Sequence, residues 1–440
     1  MVDLCCYWFR RAHDRLGPGG RAGLVGTSGI RIGKARAASL DYLVENGGTI
    51  TNAVSSRAWP GEAALNVSMV NWIKASADGI GAPLAPPPHT LVVDDYAYAL
   101  DRIPTHLQLY ADLTAVRPVA ANESGTSIGV QFGSDAFRAS GEGGFAFGPQ
   151  DLPDPSILRP VAAGDDLLRG KLCGPDSCIW LVGCESEGAA EAVGGAAFAH
   201  LKRTILPLVR ERAAAESGVS HYGRWLQVWW KPHWAREEFF DTVRHSRRMI
   251  VCSNPQARPI FAFISTKFVP TNTMQLFAFD DDYSFGIIQS RLHWEWTKAK
   301  GGRVTDRIRY TGEVWSTFPW PQAPTEAEVV AVAEAARKLR KVRDTLMKDN
   351  GWSLRALYQA AEVAGPHPLK DAQAALDDAV RAAYQMPADQ EATEFLLELN
   401  KLVAEDEAAG HAVKGPGLPP GLDPRDPRFT SDDCIEPPRS

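Results

Sequence analysis

The stretch Gly17-Pro18-Gly19-Gly20-Arg21-Ala22-Gly23-Leu24-Val25-Gly26 decides how the first part of this chain is read. Ahead of it, Val2 to Leu16 is predicted to be a helix, with Leu4, Tyr7, Trp8, Arg11 and Arg15 at helical spacing. Gly17 to Gly20 stops that helix, and Ala22 to Gly26 reads as a buried strand. A glycine loop that cradles a phosphate or an adenosine must leave a strand and open a helix, so that its backbone N–H groups point at the ligand. This loop does the reverse and is therefore read as a structural turn. A second helix is expected from about Lys34 to Glu45, ending at Asn46-Gly47-Gly48. Strands Thr49 to Ser55 and Ala64 to Ile73 follow, joined through Trp59-Pro60-Gly61-Glu62 and expected to pair antiparallel. The alternation is that of an α/β layer, and it reads as the closing half of a nucleotide-cofactor fold whose first half is not in the chain.

Working outward, 440 residues with 45% apolar content suit several packed domains. No apolar run is long enough to span a bilayer, and Asp3, Arg10 and Arg11 interrupt the N-terminus where an export signal would lie. Seven cysteines, an odd number, do not suggest a disulfide framework, so a cytoplasmic location and no membrane association are expected. A net charge of −6 argues against indiscriminate polyanion binding, yet between His221 and Tyr310 there are 14 Lys and Arg against 8 Asp and Glu. The same stretch holds Trp225, Trp229, Trp230, Trp234, Trp294 and Trp296. Local basicity with interleaved aromatics is the footprint of a nucleic-acid surface, and equally of a tryptophan-rich core with a solvated basic face.

Composition divides the chain at a Gly/Ala/Pro-rich break, Ala75 to Thr90, and again near Thr325. The expected domains are 1–90, an α/β piece; 91–322, a larger α+β domain; 323–410, helical; and 411–440, a proline-rich tail expected to be disordered. Thr325 and Glu328 form a capping-box pattern ahead of a helix running to about Met347, with further helices near 352–363, 369–386 and 390–408.

Within 91–322 several motifs have a plain and a chemical reading. Cys173 and Cys178 with Cys184 lack the second pair that a zinc site needs, so buried thiols are the expectation and no metal is assigned. Asp280-Asp281-Asp282 is read as an N-cap for a helix from Phe285 to Lys300, on which Phe285, Ile288, Leu292 and Trp296 form one face and Arg291, Glu295 and Lys298 another. From Arg303 to Tyr310 the residues alternate, Arg303, Thr305, Arg307 and Arg309 against Val304, Ile308 and Tyr310, which predicts a strand with one arginine face. Trp225, Gln227, Trp229 and Lys231 are read as one strand face, and Lys267 and Asn272 as the ends of a hairpin turn, Lys267 to Thr273. Arg, Lys, Asn and Gln hold phosphates and read base edges. The expected DNA-binding residues are therefore Lys231, Lys267, Asn272, Arg291, Lys298, Arg303, Arg307 and Arg309.

The block from Gly47-Gly48-Thr49-Ile50 through Ala53-Val54-Ser55-Ser56-Arg57-Ala58-Trp59-Pro60-Gly61-Glu62-Ala63-Ala64 to Val67-Ser68-Met69-Val70-Asn71-Trp72 resembles the end of the methyltransferase domain in MmeI-like DNA methyltransferases. These are the type IIL restriction-modification proteins and their methylase-only relatives. Phe277-Ala278-Phe279-Asp280-Asp281-Asp282-Tyr283-Ser284-Phe285-Gly286, with Gln289-Ser290 and Thr317-Phe318-Pro319-Trp320-Pro321, is similar to the closing part of that family's target recognition domain, and the helices after Thr325 to its C-terminal domain. The resemblance implies the C-terminal part of a Rossmann-like class I methyltransferase fold, followed by an α+β target recognition domain and a helical domain. It further implies adenine-N6 methylation of double-stranded DNA from S-adenosylmethionine, with the target base flipped out, and a place for Trp59 near that base. The family's cofactor loop and its Asn-Pro-Pro-aromatic tetrapeptide have no counterpart here. None of the Pro-Pro sites at Ala85–Pro88, Leu418–Gly421 and Glu436–Arg439 has both an amide or acid before it and an aromatic after it. The expectation is thus a DNA-binding chain with no cofactor-binding residues and no catalytic residue, Trp59 being a contact to the flipped base, and with methylation only when joined by a separate N-terminal methyltransferase fragment. The alternative is a non-catalytic DNA-binding specificity module.

Overall fold

The computed structural model describes residues 2–63, 65–75, 88–109, 111–140, 143–172, 176–216, 221–304 and 307–438. It divides into two compact units, Met1–Val116 and Arg117–Ser440.

In the first unit, helix Leu4–Arg15 starts at Asp3, whose side chain accepts from Cys5 N. Strands β1 (Arg21–Thr27), β2 (Gly48–Ala58), β3 (Asn66–Lys74), β4 (His89–Val93) and β5 (Tyr96–Leu100) form one sheet in the order β1-β3-β2-β4-β5. As expected, β2 and β3 pair antiparallel, and β3 lies between β1 and β2. One expectation is corrected: β1 is not a buried strand, since Val25 is exposed and β1 sits at the sheet edge, pairing among the described strands with β3 alone. The helix buries Cys6, Phe9 and His13 and leaves Leu4, Tyr7 and Trp8 in solvent. Phe9 stacks on Trp72 from β3, with centroids 5.7 Å apart, which sets the buried face. The unit also extends past the expected boundary at 90, since β4 runs parallel to β2 and carries β5 with it.

The glycine turn at 17–20 behaves as the sequence predicts. Gly19 N donates to Lys74 O at 2.9 Å and Gly20 N to Gly17 O at 2.9 Å. The Gly19 and Gly20 amides are engaged by backbone, so this segment does not offer the outward-pointing N–H groups with which a cofactor loop would hold the adenosine or the methionine carboxylate of S-adenosylmethionine.

In the second unit, β6 (Thr126–Ile128), β9 (Arg248–Ser253), β10 (Phe261–Ser265) and β12 (Met274–Phe277) form a sheet in the order β10-β9-β12-β6. A smaller sheet joins β7 (Leu158–Ala162), β8 (Ser177–Ile179) and β11 (Val269–Pro270), and β13 (Gly302–Val304) pairs with β14 (Arg307–Arg309). Strands β9, β10 and β12 are buried nearly along their length while the edge strand β6 is half-buried, and helix Asp282–Gln289 lies against β10. Helix Glu326–Asn350 packs on that helix in turn. Gly286 permits this crossing, because a Cβ there would lie 2.5 Å from Val332 Cγ1. The long helix has the capping box read from sequence: Thr325 N donates to Glu328 Oε2 at 2.7 Å and Glu328 N to Thr325 Oγ1 at 3.3 Å.

The proline-rich tail is not the free segment its composition predicts. Phe429 is buried, and Ile435 makes a parallel bridge to Ile264 at the edge of the sheet. A buried ionic cluster anchors it. Asp282 Oδ1 accepts from Arg248 at 3.0 Å, Arg340 at 2.5 Å and Ser431 at 2.9 Å, and Asp433 accepts from Arg340 Nε at 2.6 Å. Burial alone would push the Asp433 carboxyl up, but its hydrogen bond and charge contact with Arg340 hold it well below the usual carboxylate range.

Candidate nucleic-acid interface

Strand register sorts the expected DNA-binding residues into groups. In the β9/β10 pair, Phe261 faces Cys252 and Ser265 faces Arg248, which defines two ends of the sheet. Met274 faces Ser253, so Asn272, just ahead of β12, lies at the Ser253 end. Asn254 links it there to the hairpin: its N donates to Thr273 O at 2.8 Å, its Nδ2 to Tyr310 O at 3.1 Å, and its Oδ1 accepts from Tyr310 N at 3.0 Å. Gln256 and Ile308 exchange both backbone hydrogen bonds, at 2.9 and 2.8 Å. Ile308 is buried between the exposed Arg307 and Arg309. Asn272, Arg307 and Arg309 therefore share one end of the sheet.

Lys267 lies at the other end, in the turn after β10. It is exposed, with Nζ 4.0 Å from Glu436, and neighbouring Arg247 contacts Asp432 at 3.0 Å and Glu436 at 3.4 Å. Arg291 and Lys298 form a third group on the helix Arg291–Lys300, and both reach Glu295, at 3.5 and 2.8 Å.

Three readings change. Lys231 is buried, its Nζ 2.8 Å from Glu237, because His221–Gln227 is a helix followed by a turn rather than a strand. Trp225, Trp229 and Trp230 are likewise buried, which leaves Trp234 as the exposed tryptophan of that cluster. The helix predicted from Phe285 to Lys300 is two helices, broken where Ser290 Oγ caps His293 N. The arginine face is also split. In the β13–β14 pair Arg303 is opposite Ile308 and Val304 opposite Arg307, so Arg303 does not share the register of Arg307 and Arg309.

Asp281 is the N-cap that the acidic run predicts, accepting from Ser284 N at 2.7 Å. Burial pushes its carboxyl up to about 6. A folded-state value above the ordinary one stabilises fully below about pH 4, and the contribution disappears as pH rises through about 6. Asp281→Asn keeps a capping oxygen and removes the proton, so urea melts of this variant are expected to lack the pH 4–6 dependence of the parent protein. At pH 7 the variant gains up to about 3 kcal/mol, the equivalent of that displacement. A difference between the two proteins that does not vary with pH counts against this assignment.

Trp59 is 44% exposed at the β2–β3 turn, where its N donates to Leu65 O at 2.9 Å and its indole lies over Gly61. Cys178 and Cys184 are buried in the core, and burial raises the Cys178 thiol to about 12. Cys173 lies outside the described residues.

The segment holding most of these features, residues 237–322, matches the family described as the MmeI target recognition domain. Residues 237–322 thus resemble an MmeI-type target recognition domain. The fold agrees over a wider span. A solved structure of the type IIL restriction-modification enzyme MmeI in complex with DNA superposes with a TM-score of 0.67 at 19% identity, covering 92% of this chain and 53% of that one. DNA methyltransferase A of Bacillus subtilis (strain 168) is 34% identical over 127 residues, which is 28% of this chain and 14% of that protein. The chain thus spans about half the length of the solved relative, and its alignment touches a small part of the curated one. Within the matched segment lie Lys267, Asn272, Arg291, Lys298, Arg303, Arg307 and Arg309, and just ahead of it Lys231.

Proposed function

We propose that this chain is the target-recognition part of a site-specific DNA methyltransferase of the restriction-modification type, acting in the cytoplasm on adenine N6 with S-adenosylmethionine as methyl donor. The observation that carries the reading is the recognition-domain match over 237–322, in the stretch where exposed Arg307 and Arg309 share one end of the sheet with Asn272. Cationic side chains hold phosphates and set register, and amides read base edges.

Methyl transfer calls for S-adenosylmethionine to supply an electrophilic methyl group, and the described glycine turn does not fit that cofactor. We therefore place the donor site on a separate methyltransferase segment. The first unit offers a surface for it. The outer edge of β1 presents backbone N–H and C=O groups, and Leu4, Tyr7, Trp8 and Val25 are exposed apolar side chains of the helix and strand there. An open strand edge next to apolar side chains is the natural seat of a further strand. The chain's own residues would then hold and orient the duplex, while Trp59 stands exposed on the same sheet.

The test is a mobility-shift titration of the full chain with a duplex library, followed by methylation with a cofactor-binding segment added. Salt-sensitive duplex binding by the chain alone, and N6-methyladenine formed only with the added segment, are the expected results. Binding absent even at low salt would overturn the reading, and methylation by the isolated chain would overturn the assignment of the donor site.

A further inference from the structure

At the Ser253 end of the sheet a cleft of about 450 Å³ is lined by residues that include Gln131, Ser134, Asp135, Arg138, Asn272 and Thr273. Gln131 is distant from the recognition domain in sequence, and the fold brings it there. Thr271 and Val130 form a parallel bridge, Asn272 N donates to Val130 O at 2.9 Å, and Val130 N donates to Pro270 O at 2.8 Å. Gly129 allows this approach, since a Cβ would fall 2.6 Å from Pro270 O and closer still to Thr271 O. On its other side, Gln131 exchanges backbone hydrogen bonds with Trp234 at 3.0 and 3.2 Å. Both residues are held by their main chains while their side chains are exposed.

Other polar groups of the cleft are already engaged. Arg138 is ion-paired with Asp176, and Ser134 Oγ accepts from Ala136 N at 3.3 Å. The carboxamides of Gln131 and Asn272 are not engaged by any side-chain hydrogen bond among the described residues. Asp135 is exposed in the same cleft, and with Arg138 neutralised the site disfavours a phosphate. An uncharged ligand edge with an adjacent donor and acceptor suits it. A carboxamide matches that pattern in two parallel hydrogen bonds, as to N6 and N7 of adenine.

We propose that Gln131 and Asn272 are specificity-determining residues that read A·T base pairs through their amides, while Arg307 and Arg309, at the same end of the sheet, hold the backbone. The inference rests on the DNA-binding reading above. It extends the reading surface to residue 131, outside the segment matched to the recognition domain.

The experiment is selection from a random duplex library by the full chain and by Gln131→Glu and Asn272→Asp, two near-isosteric changes at exposed positions. A carboxylate accepts from cytosine N4 in place of the adenine pattern. The parent protein is expected to enrich a motif, and each variant to replace one A·T preference by C·G, a change in discrimination of roughly 5- to 150-fold at that position. The salt dependence of binding should stay the same, since no cation is altered. A parent that binds duplex and enriches no motif overturns the site-specific reading and this inference together. An enriched motif that survives both substitutions overturns the inference alone. So does a loss of binding that is uniform across sequences in both variants.

Discussion

Asp282→Ala is expected to destabilise the second unit by about 3–5 kcal/mol, the cost of leaving buried charge without its partner. Arg248 and Arg340 are both buried, and each donates to Asp282 Oδ1, at 3.0 and 2.5 Å. Removing the carboxylate leaves two guanidinium groups sharing Asp433, which is itself on the tail. Two consequences should separate. Urea denaturation of the variant should show the lower midpoint, and limited proteolysis should cut within 411–438 earlier than in the parent, because Ser431 also donates to Asp282 at 2.9 Å. A loss below about 1 kcal/mol would show that the two arginines find other partners on relaxation. An unchanged cleavage pattern would show that Phe429 and the Ile435–Ile264 bridge hold the tail by themselves.

This cluster also marks where sequence reading stops. Asp282 is one of three consecutive aspartates, and helix-start logic identifies the capping role of Asp281 correctly, because a cap is local and needs a backbone N–H within a few residues. Nothing local shows that the next residue, Asp282, gathers arginines from positions 248 and 340. The tail illustrates the same limit. Proline and charge predict disorder, whereas Asp433 and Phe429 find partners that lie distant in the chain. The β2–β3 hairpin and the helix Glu326–Asn350 are legible for the opposite reason, since turn and capping-box chemistry are contained in short windows.

Period-two alternation from Arg303 to Arg309 breaks down because the run pairs with itself as two short antiparallel strands, a change that alternation alone does not reveal. The helix Leu4–Arg15 forms as its spacing predicts, but spacing alone does not say which side is buried, and the packing of Phe9 against Trp72 decides it. Gln131 carries no signal of its own, because its position depends on a bridge between Val130 and Thr271.

The surviving part of the arginine surface gives the second large expectation. Arg307→Ala with Arg309→Ala should lower the dependence of log affinity on log salt by about 1.8, close to 0.9 for each phosphate of B-form DNA that is no longer neutralised. Between 50 and 200 mM salt that amounts to about a tenfold difference in how far affinity falls, relative to the parent. Both side chains are exposed on either side of buried Ile308, so their removal leaves intact the packing that fixes the hairpin through Gln256. Two controls sharpen the result. Lys231→Ala should leave the slope unchanged, because that ammonium is buried against Glu237 rather than facing solvent. Lys267→Ala tests the opposite end of the sheet, where Glu436 lies 4.0 Å from the ammonium and Asp432 and Glu436 hold the neighbouring Arg247. Phosphates reaching that end must displace the acidic tail first, so a smaller slope change is expected there than at Arg307 and Arg309. An equal or larger effect at Lys267 would move the duplex to the tail-covered end and away from Asn272.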